Sequence, residues 1–395
     1  MASTDPIDSM QEPNLKYLAV PGPAARGGQP RRLAYWDWPS LSADPGRVVV
    51  CVHGLSRQGR DFDVLARVLS ERARVIAVDV AGRGHSDWLD DPMGYQVPTY
   101  VADLATLLMH LRAEQPDVAI DWVGTSMGGL IGMALAAQAG LAPRRMVLND
   151  VGPVIQWEAL LRIGAYLGTN PSFDSEAAAI SYLASISAGF GPHTPEQWRA
   201  LSLPLLRERD GRWWLHYDPA IAVPVKALIG MNDQAQARQI ARDGEALLWT
   251  FYDAITAPTL LLRGGQSDLL SEATAQQMAR RGPKARCVQF DGVGHAPTLV
   301  QPDQVAPVRE LAAWLAAAPA EGARWVLSLR EGVRPARQWL AAEPQPLTVV
   351  LGPEGGLSTG EEDRLLAAGF VPASLGPAVL RSETAALAAL VLAST

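Results

Sequence analysis

The sequence predicts an α/β fold, a mostly parallel sheet carrying an inserted helical cap, and three observations lead to it. Short apolar, β-prone runs alternate with segments of helical spacing from residue 47 to 148 and again from 259 to 317. The run at 47–52 is apolar without alternation, the pattern of a strand buried on both faces of a parallel sheet. Between 154 and 244 the strand and helix alternation stops, and short helical patterns broken by Pro171, Gly189, Gly191, Pro192 and Pro204 replace it.

At 395 residues the chain is long for one core, so two or more domains are expected. It is 48% hydrophobic and 19% charged, a globular composition, and its formal charge of −7 argues against a dedicated nucleic-acid surface. Cys51 and Cys287 both fall in runs expected to be buried strands, so neither a disulfide framework nor a cysteine metal site is expected; a reducing, cytoplasmic setting fits. The first 15 residues lack the basic flank and apolar core of a secretory signal. The longest apolar stretch, 384–393, is too short to span a bilayer, so no membrane partner is expected.

In chain order, residues 1–30 read as a lead-in with a first edge strand at 16–20, and the alternating run 32–38 reads as a strand on the sheet's edge. The buried strand 47–52 ends in His53-Gly54-Leu55-Ser56, a turn able to aim a backbone N–H into a cleft at the sheet's C-terminal edge. A helix is expected over 61–69 and a second buried strand over 74–79. The glycine-rich loop 80–87 that follows lacks the spacing of a dinucleotide fingerprint, and His85 reads as a loop residue. Val101, Leu104, Leu107, Leu108 and Leu111 put one apolar face on a helix over 100–112.

Next, the strand run 118–123 leads into Gly124-Thr-Ser126-Met-Gly128 and a helical segment over 130–139. A serine on so sharp a strand-to-helix turn needs small residues two positions before and after it, because side chains there would strike the flanking elements. A strand at 145–148 ends in Asn149-Asp150-Val-Gly-Pro153. The cap holds Trp157, Trp198, Trp213 and Trp214, read mainly as cap core, with a pocket wall as the alternative. Strands return at 259–262, running into Asp268, and at 285–290, running into Gly292-Val-Gly294-His295. Helices at 273–281 and 305–317 complete the pattern.

Acyl transfer needs a nucleophile, a base for its proton, a carboxylate to orient that base, and N–H donors for the oxyanion. Ser126, Asp268 and His295 occur in a suitable chain order, each on a loop after a strand. The expected roles are Ser126 as nucleophile, His295 as base and then acid, and Asp268 as the carboxylate that fixes the imidazole tautomer. The backbone N–H groups of Leu55 and Met127 are the expected oxyanion hole. Asp150 is the rival acid; Asp268 is preferred because its loop lies just before the histidine strand. His193, His216 and Asp218 in the cap are read as surface or hydrogen-bonded groups and left out of the site.

With these residues, the first 318 or so positions resemble the α/β-hydrolase superfamily, specifically capped bacterial hydrolases with a Gly-Thr-Ser-Met-Gly-Gly elbow. The runs 53–62, 79–86 and 149–153 are similar to that group too. The resemblance implies an α/β-hydrolase fold and cleavage of an ester, lactone or carbon–carbon bond in a small organic substrate, without a cofactor or metal. Some members place the acid after the earlier strand, as Asp150 would be. A serine at the elbow excludes the relatives that use a carboxylate nucleophile.

The expected division is a core of 31–153 and 245–318, a cap of 154–244, a linker at 319–324 and a second α/β segment over 325–395. Strands are expected there at 324–329, 347–351 and 371–375, with helices at 359–368 and 383–392. Gly352-Pro-Glu-Gly-Gly356 and the loop 375–384 resemble the C-terminal part of the knotted SPOUT methyltransferases that act on the N3 of a uridine in 16S ribosomal RNA. The resemblance implies S-adenosylmethionine held by Leu351, Gly352, Gly356, Leu375, Gly376 and Leu380, with Arg381 and Glu383 nearby. That family's RNA-binding domain and first strands have no counterpart, Ala378 stands where Arg is usual, and the last helix is shorter. The expectation is a partial, incomplete knot left by a fusion, with RNA not expected as a partner.

Overall fold

The computed structural model describes residues 12–22, 29–42, 46–154, 156–308, 323–327, 347–350, 362, 365–366 and 370–373. They belong to two compact units, Met1–Arg309 and Glu310–Thr395. In the first unit, β1 (Asn14–Val20), β2 (Arg31–Trp38), β3 (Arg47–Val52), α1 (Asp63–Ser70), β4 (Arg74–Asp79), α2 (Val97–Glu114), β5 (Ala119–Thr125), α3 (Met127–Ala136) and β6 (Arg145–Asn149) precede the cap. After the cap come β10 (Thr259–Gly264), α9 (Glu272–Met278), β11 (Arg286–Phe290) and a helical run over 302–308.

These strands form one eight-stranded sheet in the order β1-β2-β4-β3-β5-β6-β10-β11. Only the β1–β2 and β2–β4 pairs are antiparallel. The β3 run alternates strictly between two apolar layers. Val48, Val50 and Val52 join the residues of α2 and α3, whereas Val49 and Cys51 join Leu65 and Ala66 of α1 and Val305 and Val308 of the 302–308 run. A strand covered on both faces has no side that can be polar, which is why the run is continuous. All ten residues of α3 are buried, as a helix enclosed all round requires. Gly132 leaves the space that the Trp122 indole occupies, and that indole donates to the Gly128 carbonyl at 3.1 Å.

The run expected to be the sheet's edge, 32–38, lies one strand in, because β1 pairs along its whole length outside it. Cys287 is exposed rather than buried, since β11 is the opposite edge strand and shows one half-open face. Among the described residues no helix is long and apolar enough to cross a membrane.

The cap comprises α4 (Trp157–Tyr166), β7 (Ser172–Phe173), α5 (Glu176–Ile186), α6 (Pro195–Ser202), β8 (Leu206–Arg209), β9 (Arg212–Leu215), α7 (Val223–Ile229) and α8 (Gln234–Asp253). It is not all-helical: β7, β9 and β8 form a small antiparallel sheet. Asp210 and Gly211 turn β8 into β9 with φ of 53° and 70°, the left-handed pair that a two-residue hairpin demands. The boundary expected at 244–245 falls inside α8, which runs from the cap to pack on α3.

In the second unit, β12 (Ala323–Leu327), β13 (Leu347–Val350) and β14 (Val371–Ala373) form a parallel sheet in the order β13-β12-β14. Leu351, Gly352, Gly356, Leu375, Gly376 and Leu380, with Arg381 and Glu383, lie outside the described residues.

Candidate active site

Ser126 stands between β5 and α3 with φ 51° and ψ −115°, a backbone state costing roughly 1–3 kcal/mol for a side-chain-bearing residue. The surroundings enforce it. A Cβ on Gly124 would run into the backbone of Gly128, and one on Gly128 into the Val52 carbonyl of β3. The Ser126 N–H is held by the Asn149 carbonyl at 2.9 Å, tying the turn to the end of β6.

His295 comes from the loop after β11. Its Nε2 lies 3.0 Å from Ser126 Oγ and its Nδ1 lies 2.7 Å from Asp150 Oδ2. A carboxylate oxygen accepts, so Nδ1 carries the proton and Nε2 is free to accept from the serine hydroxyl. Asp150 is fully buried directly after β6, with φ 53°. Its Oδ1 accepts from the Gly264 N–H at 2.8 Å and its Oδ2 from the Ser267 hydroxyl at 2.6 Å.

The acid preferred on sequence, Asp268, is not against His295. Its carboxylate is turned to Arg162 of α4, with Nε at 2.7 Å and Nη2 at 3.0 Å, and is about half exposed. The reason is lateral position in the sheet. β6 lies between β5 and β10, so the first residue after β6 is beside the elbow. Asp268, four residues beyond β10, is carried outward. Ser267 and Asn149 were absent from the sequence-based site. Ser267 supports Asp150, and Asn149 Nδ2 bridges Thr125 Oγ1 at 3.0 Å and the Pro297 carbonyl at 2.8 Å, joining the serine and histidine loops. Asn149 does belong to a run that the sequence had marked; Ser267 shows no motif.

On the other side of Ser126, His53 is fully buried, and burial lowers its imidazole to about 3, so it stays neutral. It accepts from the Val80 N–H at 3.0 Å through Nε2 and donates from Nδ1 to the Gly54 carbonyl at 2.6 Å. Holding that carbonyl fixes the Gly54–Leu55 peptide, and the Leu55 N–H points the opposite way. Met127 N–H, at the first position of α3, adds the helix's positive end. Behind both residues lies Arg83, fully buried. Its Nε donates to the Leu55 carbonyl at 2.8 Å and its Nη1 to the Tyr100 hydroxyl at 2.9 Å, while Nη2 lies 3.8 Å from Met127 Sδ. Its hydrogen-bonding partners are thus carbonyls, a phenol and a thioether, and none of them is a carboxylate.

The serine and histidine open on a cavity of about 470 Å³ between core and cap. Its cap wall is largely apolar, with Ile163, Tyr166, Tyr182, Leu183, Phe190 and Tyr217 among its residues. None of Trp157, Trp198, Trp213 and Trp214 lines it; the tyrosines do, as side chains with an apolar ring and a polar tip suit a wet cleft. Charged lining comes from Arg57, Asp61, Arg162 and Asp268. The left-out cap residues join cap to core: His193 Nε2 meets Thr298 Oγ1 at 2.8 Å, Asp218 accepts from the Tyr95 hydroxyl at 2.5 Å, and His216 stacks edge-on against His85.

This combination of sheet, elbow and imidazole defines a hydrolase. The chain belongs to the alpha/beta hydrolase family, whose family model matches residues 49–308, and residues 300–394 match the RNA methyltransferase domain. A 3-hydroxybutyrate-oligomer hydrolase of Cupriavidus necator is 46% identical over 300 residues, 74% of this chain and 96% of that protein. The 2-(acetamidomethylene)succinate hydrolase of Mesorhizobium japonicum is 29% identical, over 65% of this chain and 84% of that one. Among solved structures, an alpha/beta hydrolase from Novosphingobium aromaticivorans superposes with a TM-score of 0.63 at 34% identity, covering 76% of this chain and 98% of its own. The protein is a hydrolase of that family.

Proposed function

We propose that the first unit hydrolyses short oligoesters of 3-hydroxy acids through an acyl-enzyme on Ser126. The observation that carries the mechanism is the imidazole of His295 bonded on one side to Ser126, at 3.0 Å, and on the other to Asp150, at 2.7 Å. In this reading Ser126 Oγ attacks the ester carbonyl as His295 Nε2 takes its proton, and the carbonyl oxygen becomes an oxyanion facing the Leu55 and Met127 N–H groups. Collapse breaks the ester C–O bond, and the imidazolium gives its proton to the departing alkoxide, released as a hydroxyl. Water then repeats the sequence on the acyl-enzyme, freeing the acid and Ser126. Asp150 holds Nδ1–H throughout. Nucleophile and proton carriers all come from this chain, so the reaction uses no cofactor.

The substrate class rests on the 46% identical 3-hydroxybutyrate-oligomer hydrolase and on a mostly apolar cleft of about 470 Å³, room for a few monomer units rather than a polymer surface. For the second unit we propose a remnant that takes neither S-adenosylmethionine nor RNA. The hydrolase match over 49–308 runs directly into the match over 300–394, with no separate segment between the two.

The test is Ser126→Ala. Turnover of p-nitrophenyl butyrate and of the 3-hydroxybutyrate dimer should fall at least about a thousandfold, with loss of fluorophosphonate labelling and an unchanged circular dichroism spectrum. Turnover within a few-fold of wild type would defeat the serine mechanism.

A further inference from the structure

We propose that Arg162 receives the free carboxylate on the leaving segment of the substrate, so that the enzyme reads the carboxyl end of an acidic oligoester; this deepens the oligoester reading and rests on it. Two arginines line the cavity, and their commitments differ. Arg57 is closed in. It is bonded to Asp61 by Nε and Nη2, both at 2.7 Å, and to the Leu201 carbonyl at 3.0 Å, with its side chain 12% exposed. Arg162 has its fork on Asp268 alone among carboxylates, and the two side chains are 46% and 51% exposed. A water-facing ion pair stabilises little, so one carboxylate can replace another there at small cost. A guanidinium presents the planar, two-pronged donor that a carboxylate fits.

The position of the pair selects which end of the substrate it meets. Leu55 and Arg57 share the loop after β3, on the side of the proposed oxyanion donors. Asp268 belongs to the loop after β10, which is joined to the histidine loop through Gln266 N–H to Val293 at 2.8 Å and Gly265 N–H to Phe290 at 2.8 Å. His295 protonates the departing alkoxide, so this wall borders the leaving segment. When an oligomer of a 3-hydroxy acid is cut, the acyl segment ends in a hydroxyl and the leaving segment ends in the free carboxylate. The cation thus stands on the side where the anion is. A methyl-capped oligomer offers it nothing, and Asp268 acts as the resident competitor that the substrate displaces.

The experiment compares kcat/KM for the dimer and trimer of 3-hydroxybutyrate, each as free acid and as methyl ester, in wild type, Arg162→Gln and Asp268→Asn. In Arg162→Gln the acid-to-ester ratio should fall about tenfold, chiefly through KM for the acid. In Asp268→Asn it should rise, because the competitor is gone. Using a ratio cancels any loss of folded enzyme. A ratio unmoved in both variants, or lowered in both as the loss of a structural tie would give, overturns the carboxylate contact. If wild type cleaves p-nitrophenyl butyrate but neither oligomer form, the oligoester reading itself fails.

Discussion

Asp150 and Asp268 are both carboxylates on loops beyond a parallel strand, and their partners separate them. Asp150 is sealed and accepts from Gly264, Ser267 and His295, whereas Asp268 faces water and Arg162. Asp150→Asn should therefore lower kcat on p-nitrophenyl butyrate by about 10³–10⁴, because an amide in that position no longer enforces the tautomer with Nδ1 protonated. Asp268→Asn should cost far less on the same neutral ester, and equal losses would contradict the assignment. Both acids were visible in the sequence, and the choice between them was not. Nearness to the histidine strand along the chain favoured Asp268, but the distance that matters is measured across the sheet. Arg83 was invisible for a similar reason. It was one residue of a glycine-rich loop until the fold buried it behind Leu55 and Met127.

At the scale of elements, the elbow was legible because its constraint is local. A residue in Ser126's conformation needs Gly124 and Gly128 whatever surrounds it. Gly128→Ala forces a methyl group into the Val52 carbonyl, so unfolding free energy should drop by at least about 3 kcal/mol in urea titrations. Gly244→Ala makes the contrast. This glycine is exposed on α8 with nothing near its missing side chain, and helix propensity alone should stabilise the protein by about 0.5–1 kcal/mol. The β8–β9 hairpin carried a local signal too, Asp210-Gly211 ahead of Trp213 and Trp214, yet the segment reads as purely helical when only its helical spacing is weighed. Both 16–20 and 32–38 read as edge strands, and which of them lies outermost had no local signal, since pairing order is a property of the assembled sheet.

For the whole molecule, buried histidine sets a pH dependence. His53 is lowered from 6.5 to about 3 in the folded protein by burial. Below pH 6.5 the unfolded chain takes up a proton that the folded one refuses. The stability that a neutral His53 confers is thus complete above 6.5 and declines as pH falls, with a slope approaching about 1.4 kcal/mol per unit. Asp79 and Asp103, each raised from 3.8 to about 6 by burial, act in the opposite sense, their contribution weakening as pH rises through that window. The difference between wild type and His53→Gln isolates the histidine. That difference in unfolding free energy should shrink by about 2 kcal/mol between pH 7 and pH 5, and a pH-independent difference would refute the neutral, buried state.

By itself, the sequence determined whatever follows from short-range sterics and periodicity. Doubly buried strands had to be continuously apolar, a strained serine had to be flanked by glycines, and His53-Gly54 had to close a strand that ends beside it. Those constraints were enough for the α/β class, the elbow serine and the histidine that the fold brings against it. Tertiary structure alone decided which carboxylate reaches His295, where Arg83 is buried and what Arg162 faces, because each depends on the lateral order of strands and on a cap whose side chains meet the core only after folding.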